Sequence, residues 1–167
     1  MVPGVFTGYF AAAAGGAGVL IGLLFVAISL RPETVFGDNA APGGRALAGS
    51  AFTGLANAFF VALTALIPRI NLGVTAVLMA LISVYSIIKL HRGLRGRDSQ
   101  RVAMAFSLAV YLGQLAVAVA LIARPRDHIF VYDLAYLLVG SLAAALTRAW
   151  ALLQGKHTAA SLDGGPV

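Results

Sequence analysis

The residues of this chain that could act in catalysis or metal binding are few and lie far apart. Absence of cysteine excludes thiolate metal sites, cysteine nucleophiles and disulfides. His91, His128 and His157 are separated by apolar runs that put His128 on the opposite side of a membrane from the other two, so the three cannot share a metal ion. Asp127, His128 and Asp133 could bind a cation or act as acid and base, but two carboxylates and one histidine are a weak signal, and an ordinary solvated loop is the preferred interpretation. We therefore expect no catalytic residue, no metal site and no cofactor.

The apolar runs carry no ionisable residue near their centres. Ion-coupled transporters and proton relays ordinarily use intramembrane Asp, Glu, Lys or His, so secondary active transport is not expected. The glycines also lack a following Lys-Ser/Thr and do not form a phosphate-binding loop. We expect the protein not to be an enzyme.

Two amide side chains are placed at the depth of the bilayer midplane. The 1.5 Å rise of a helix puts Asn57 and Gln114 roughly 16–18 Å into their apolar runs. An amide without a partner at that depth costs several kcal/mol, so a mutual hydrogen bond that holds helices together is the simplest hypothesis. The alternative is a polar solute path that also uses Ser107 and Tyr111.

The elements that carry these residues are membrane-spanning helices. Of the 167 residues 60% are hydrophobic and 11% charged, whereas soluble domains are near 45–50% and 25%. The runs lack the alternation of membrane β-strands. The fold class expected is an all-α integral membrane bundle in one domain (residues 1–153) with a polar cytoplasmic tail (154–167). The predicted spans are 5–30, 46–67, 72–90, 102–123 and 134–153.

Basic residues predict the orientation of the bundle. Nine of the twelve Lys and Arg fall in the loops and tail of one side, which the positive-inside rule places in the cytoplasm. The N-terminus is then outside and the C-terminus inside, in a bacterial plasma membrane. The most basic cytoplasmic loop could also contact anionic lipid; its basic residues are Lys89, Arg92, Arg95, Arg97 and Arg101. Because the basic residues flank apolar runs, we expect no nucleic acid partner.

The first span contains a stripe of small residues with period 3.5, which stays on one face of a left-handed supercoil. This small-residue stripe consists of Gly4, Gly8, Ala11, Gly15, Gly18 and Gly22. Small residues let helices approach closely in lipid. The stripe is expected either to pack inside the protein's own bundle or to dock a partner, and a large residue at Gly15 or Gly18 to be disruptive. Near the other terminus, Arg148 and Trp150 are expected to anchor the last helix at the interface.

The chain resembles a family of small bacterial polytopic membrane proteins of unassigned function, sometimes labelled protease modulators. The resemblance rests on three stretches: residues 22–30 (GLLFVAISL), Leu66-Ile67-Pro68 followed by Gly73, and 149–153 (AWALL). It departs from the family pattern at Arg148, where an amide is expected. The resemblance implies five spans.

These features favour an accessory or scaffold subunit of a larger membrane assembly, for example a lipid importer or a respiratory complex. Its expected partners are other integral membrane subunits, through the first helix, and membrane lipids; self-association is left open. One alternative is a homo-oligomeric channel or facilitator for a small neutral solute. Another is a regulator of a membrane protease that acts through the tail.

Overall fold

The computed structural model describes residues 4–30, 32, 35, 44–68, 70–93, 98–124, 127 and 129–154. These residues contain five long α-helices and no strand. The helices are α1 (Thr7–Leu30, preceded by a 3-10 turn at Gly4–Phe6), α2 (Gly44–Ala65), α3 (Leu72–Gly93), α4 (Asp98–Ala123) and α5 (Ile129–Gln154). All five are long and apolar enough to cross a membrane. The predicted fold class, an all-helical membrane protein with five spans, is confirmed.

Several helix boundaries differ from the predicted spans. The largest difference is at α5, which begins at Ile129 and not at residue 134. Elsewhere polar residues continue a helix. Helix α4 begins four residues earlier than predicted, and α3 continues through Gly93. Lys, Arg and Gln have high helix propensity, so these helices extend beyond their apolar segments. Helix α2 ends at Ala65 and not at Ile67, because Pro68 disfavours helical geometry at the residue before it. The N–H groups of Leu66 and Ile67 instead donate to carbonyls three residues back, at 3.1 Å each.

Helices α2, α3, α4 and α5 form a closed four-helix bundle in which each contacts the next and α5 returns to α2. Neighbouring helices run antiparallel. Gly73 at the start of α3 lies beside Ala118 near the end of α4, and Arg148 near the end of α5 reaches Ser50 near the start of α2.

Helix α1 lies outside this bundle and packs along α2. Phe25 of α1 makes an edge contact with Phe52 of α2, with ring centroids 5.7 Å apart. The first turns of α1 also touch α5, where the Tyr9 hydroxyl donates to the carbonyl of Ala135 at 2.6 Å. Helix α1 thus has a broad face that the described part of the chain does not cover.

The two ends of the bundle differ in their side chains. We call the end that carries Arg45, Lys89 and Arg148 the basic end. The opposite half contains the larger apolar core, which is made of aromatic, aliphatic and alanine side chains from all five helices. A smaller apolar cluster lies toward the basic end around Leu24 and Leu55. The buried polar side chains lie between these clusters, in the interior of the four-helix bundle.

Candidate helix-docking surface and buried polar cluster

The small-residue stripe lies on the outer face of α1. The residues that α1 buries are Phe6, Phe10, Ala13, Ala14, Ala17 and Leu24. At 100° per residue these fall on the side of the helix opposite the stripe. Five of the six stripe residues are exposed, and Gly18 is half-buried. The expectation that the stripe packs inside the protein's own bundle is therefore wrong for all but Gly18.

The space above the stripe is open. A Cβ atom built on Gly4, Gly8, Gly15 or Gly22 would meet no atom within 4 Å outside its own helix backbone and chain neighbours. A Cβ on Gly18 would lie 3.5 Å from a ring carbon of Phe59 on α2, which is an ordinary contact. A side chain at Gly15 would therefore point into open space and not into the described part of this chain. The expected disruption by a large residue there stays a prediction for the interaction with a partner.

Asn57 of α2 and Gln114 of α4 form the amide pair expected from their depth. The Asn57 Nδ2 donates to Gln114 Oε1 at 2.7 Å, and Gln114 Nε2 donates back to Asn57 Oδ1 at 3.0 Å. The second proton of Gln114 Nε2 points toward the carbonyl of Ala76 on α3, at 3.3 Å. Both side chains are 0% exposed. The pair thus connects α2, α3 and α4 in the middle of the bundle.

The other candidate lining residues of α4 are in the same interior. Ser107 and Tyr111 are each 2% exposed. Tyr111 reaches toward α2 at Gly54, where a Cβ would lie 3.2 Å from the tyrosine oxygen. The Ser141 hydroxyl of α5 donates to the carbonyl of Gly54 at 3.2 Å. Within the described residues, no buried side-chain nitrogen or oxygen lacks a hydrogen-bond partner.

Two buried polar residues were missed by the sequence analysis. Ser83 of α3 and Ser141 of α5 are 0% and 1% exposed. Tyr136, a larger polar residue of α5, is by contrast 76% exposed. A buried serine gives a weak signal in sequence because its hydroxyl can bond to its own helix, as Ser83 does to the Met79 carbonyl at 2.7 Å.

Lys89 of the basic loop and the proposed anchor, Arg148 and Trp150, lie at the basic end of the bundle. Trp150 is 61% exposed, and the Arg148 guanidinium donates to the Ser50 carbonyl at 3.4 Å. Lys89 is exposed. The other side chains of the basic loop, those of Arg92, Arg95, Arg97 and Arg101, lie outside the described residues, as does the tail from residue 155 onward.

The loop before α5 provides no assembled site in the described residues. Asp127 is exposed in this loop, Asp133 is exposed within α5, and His128 lies outside the described residues. No group of three or more potential metal-ligating side chains is present in the described part of the chain. The residues that the structure does bring together are amides, hydroxyls and backbone carbonyls, which form hydrogen bonds with one another.

The fold and these two features define a multi-pass α-helical membrane protein with an internal polar cluster and an exposed small-residue face. No protein-family model, curated protein or solved structure matches the chain. The comparisons therefore leave its function to be argued from the molecule itself.

Proposed function

We propose that the protein is a non-catalytic accessory or scaffold subunit that docks into a larger assembly of the bacterial plasma membrane through α1. The observation that carries this proposal is the outward position of the small-residue stripe. Helices associate in lipid by close packing and not by hydrophobicity. A flat face of glycines is well suited to a second helix, and in the described residues only Phe59, beside Gly18, approaches it.

The composition of α1 supports the same function. Glycine costs about 1 kcal/mol relative to alanine inside a helix, and alanine is the residue that α1 uses at three positions of its buried face. Close approach to α2 is thus achieved without glycine. The glycines on the outer face are explained if a partner helix packs there, since a Cβ would hold that helix further away.

The experiment compares two identical substitutions at open helical glycines. Gly15→Leu places a large side chain in the small-residue stripe, and Gly49→Leu does the same on α2, where a Cβ also meets nothing within 4 Å. The tagged full-length variants are extracted in mild detergent and the co-purifying proteins are quantified by mass spectrometry. We expect Gly15→Leu to reduce stoichiometric partners by about tenfold, equivalent to 1.4 kcal/mol, and Gly49→Leu to retain them.

The outcomes of this experiment separate the candidate functions. Recovery of no stoichiometric partner by the unmodified chain contradicts the accessory-subunit function. Equal recovery with both variants shows that the stripe is not the docking surface. If the partner is a membrane protease and deletion of residues 154–167 releases it, the regulatory alternative replaces the proposal.

The facilitator alternative has less support from the geometry. A path lined by Asn57 and Gln114 would require these amides to face a continuous space, whereas they are fully buried and bonded to each other. The larger apolar core lies beyond them. Solute flux in liposomes that is lost on Asn57→Leu would nevertheless favour this function over the proposed one.

A further inference from the structure

The four-helix bundle consists of two similar helical hairpins, α2–α3 and α4–α5. Helices α2 and α4 both begin at the basic end, whereas α3 and α5 both run back toward it. A half-turn about an axis along the membrane normal therefore exchanges one hairpin with the other. Membrane proteins that are built from two parallel repeats have the same relation between their halves.

The amide pair lies where this two-fold axis crosses the bundle. Asn57 of α2 and Gln114 of α4 are 57 residues apart and donate a hydrogen bond to each other in both directions. A two-fold axis that passes through an interface requires such reciprocal contacts between equivalent residues. The same shift along the chain takes Ser50 of α2 to Ser107 of α4.

Helices α3 and α5 match in the same way, with a shift that is one residue longer. Five buried positions of α3 coincide with five buried positions of α5, and the two buried serines are equivalent. The matched pairs are Gly73 and Val131, Ala76 and Leu134, Ala80 and Leu138, Ser83 and Ser141, and Ile87 and Ala145.

Helix α1 has no counterpart in this symmetry. It packs antiparallel on α2, where Gly18 lies beside Phe59 and Phe25 makes an edge contact with Phe52. The symmetry places an equivalent face on α4, on the side of the bundle diagonally opposite α1. We call this strip, which contains Ala105, Ala109, Leu112, Ala116 and Val119, the outer face of α4.

The exposure of matched residues shows that one of the two equivalent faces is covered and the other is not. Leu55 and Ala62 lie on the strip of α2 next to the contacts with α1 and are 1% and 0% exposed. Their counterparts on α4, Leu112 and Val119, are 48% and 53% exposed. The described part of the chain thus has two equivalent faces and one α1 to cover them.

The side chains of the outer face of α4 favour a helix over lipid as its cover. Ala105, Ala109 and Ala116 are exposed there. On α3, by contrast, every exposed residue from Leu72 to Ile88 is a valine, leucine, isoleucine or tyrosine. Large side chains suit contact with lipid, whereas alanine lets a second helix backbone approach closely.

We propose that the outer face of α4 binds one apolar transmembrane helix of another subunit, antiparallel to α4, in the position that α1 takes on α2. This surface goes beyond the docking function proposed above, because it lies on the opposite side of the bundle from the small-residue stripe. With both surfaces occupied, the protein lies between two partner helices and joins them.

Photo-cross-linking in native membranes tests this interface directly. A benzophenone amino acid is placed at Leu112 or Val119 of the tagged full-length protein, and at Leu78 or Tyr85 of α3 in control variants. Each pair is spaced by seven residues, and the two control residues are 55% and 67% exposed. After illumination, we expect about tenfold more protein adduct from the α4 positions than from the α3 positions.

The attachment sites on the partner report the direction of its helix. Gly18 and Phe25 meet Phe59 and Phe52 in reversed order. We therefore expect Val119 and Leu112 to attach to one apolar helix of the same partner, with the Val119 site about seven residues N-terminal to the other. The unfolding midpoint of each variant in SDS, compared with that of the unmodified chain, checks that a low yield does not come from misfolding.

Four results would overturn the proposal. Equal adduct yields from α4 and α3 would mean that lipid covers the outer face of α4. Attachment sites in the same order as on α4 would mean a parallel helix, which the symmetry with α1 excludes. Attachment to a second copy of this chain would replace the partner subunit by self-association. The adducts must also persist in Gly15→Leu, which changes only the small-residue stripe, and their loss would show that α4 has no partner of its own.

Discussion

The pair of amides in the bundle interior gives the sharpest prediction on stability. Asn57→Leu and Gln114→Leu each replace one amide by an apolar side chain of comparable size. Either single change leaves the other amide fully buried without its main partner, although Gln114 retains the Ala76 carbonyl at 3.3 Å. A buried polar group that loses its partner costs about 1–3 kcal/mol. We expect each single variant to lose about 2 kcal/mol of unfolding free energy.

The double variant should lose much less than the sum of the two single losses. It removes both polar groups together, and an apolar replacement of both partners is nearly neutral in favourable cases. Two hydrogen bonds join the pair directly, at 2.7 and 3.0 Å. At about 0.6 kcal/mol per bond on average and 1.7 at most in membranes, the coupling energy should lie between about 1.2 and 3.4 kcal/mol.

The assay is reversible unfolding of the full-length protein in mixed micelles with increasing SDS, followed by circular dichroism. Ser83→Ala is the matched control, because Ser83 is equally buried but bonds to its own helix at the Met79 carbonyl. Combined with Asn57→Leu, it should be additive within about 0.5 kcal/mol. If Asn57→Leu and Gln114→Leu are also additive within that error, the pair does not couple α2 to α4 and the reasoning fails.

Two further changes test the packing at the other half of the bundle. A Cβ on Gly73 would lie 2.7 Å from Ile122 Cγ1 and 2.9 Å from the Ala118 carbonyl, so Gly73→Ala should force α3 away from α4 and cost about 1–3 kcal/mol in the same SDS titration; an unchanged midpoint would contradict this close approach. Tyr9→Phe removes the 2.6 Å hydrogen bond to the Ala135 carbonyl and should cost about 1 kcal/mol. Proteolysis of the N-terminal segment should become faster in that variant, and an unaltered rate would show that the bond does not hold α1 on α5.

The sequence is most informative about features that the bilayer itself imposes. Apolar runs of about 20 residues must be helices that cross it, so five spans could be predicted, with helix ends misplaced by up to five residues. The depth of a residue in the bilayer can be predicted for the same physical reason. The runs that contain Asn57 and Gln114 begin on the same side of the membrane, and the two amides lie at nearly the same distance from that side. This was sufficient to predict that they meet.

Which face of a helix is buried inside the protein is much harder to predict in a membrane. In water, the apolar face of a helix identifies the side that is buried, but in lipid both faces are apolar. Helix α1 is hydrophobic all round, so its composition did not show whether the small-residue stripe faces α2 or the surroundings. The polar residues of α5 show the same difficulty. Tyr136 suits an interfacial position on the outside, whereas the small hydroxyl of Ser141 is satisfied inside by the Gly54 carbonyl.

The arrangement of small residues on α1 provides a criterion for deciding which face of the helix is buried inside the protein. Phe10 and Ala17 are 0% exposed on the buried face, so large and small side chains interlock there with α2. An interlocking face needs side chains of differing size, whereas the stripe has almost no side chains and is nearly flat. A flat face packs well only against a second helix whose own side chains fill the space above the glycines. The described part of this chain contains no such helix. The glycines of α1 are therefore better explained by packing against another molecule than by packing within this protein.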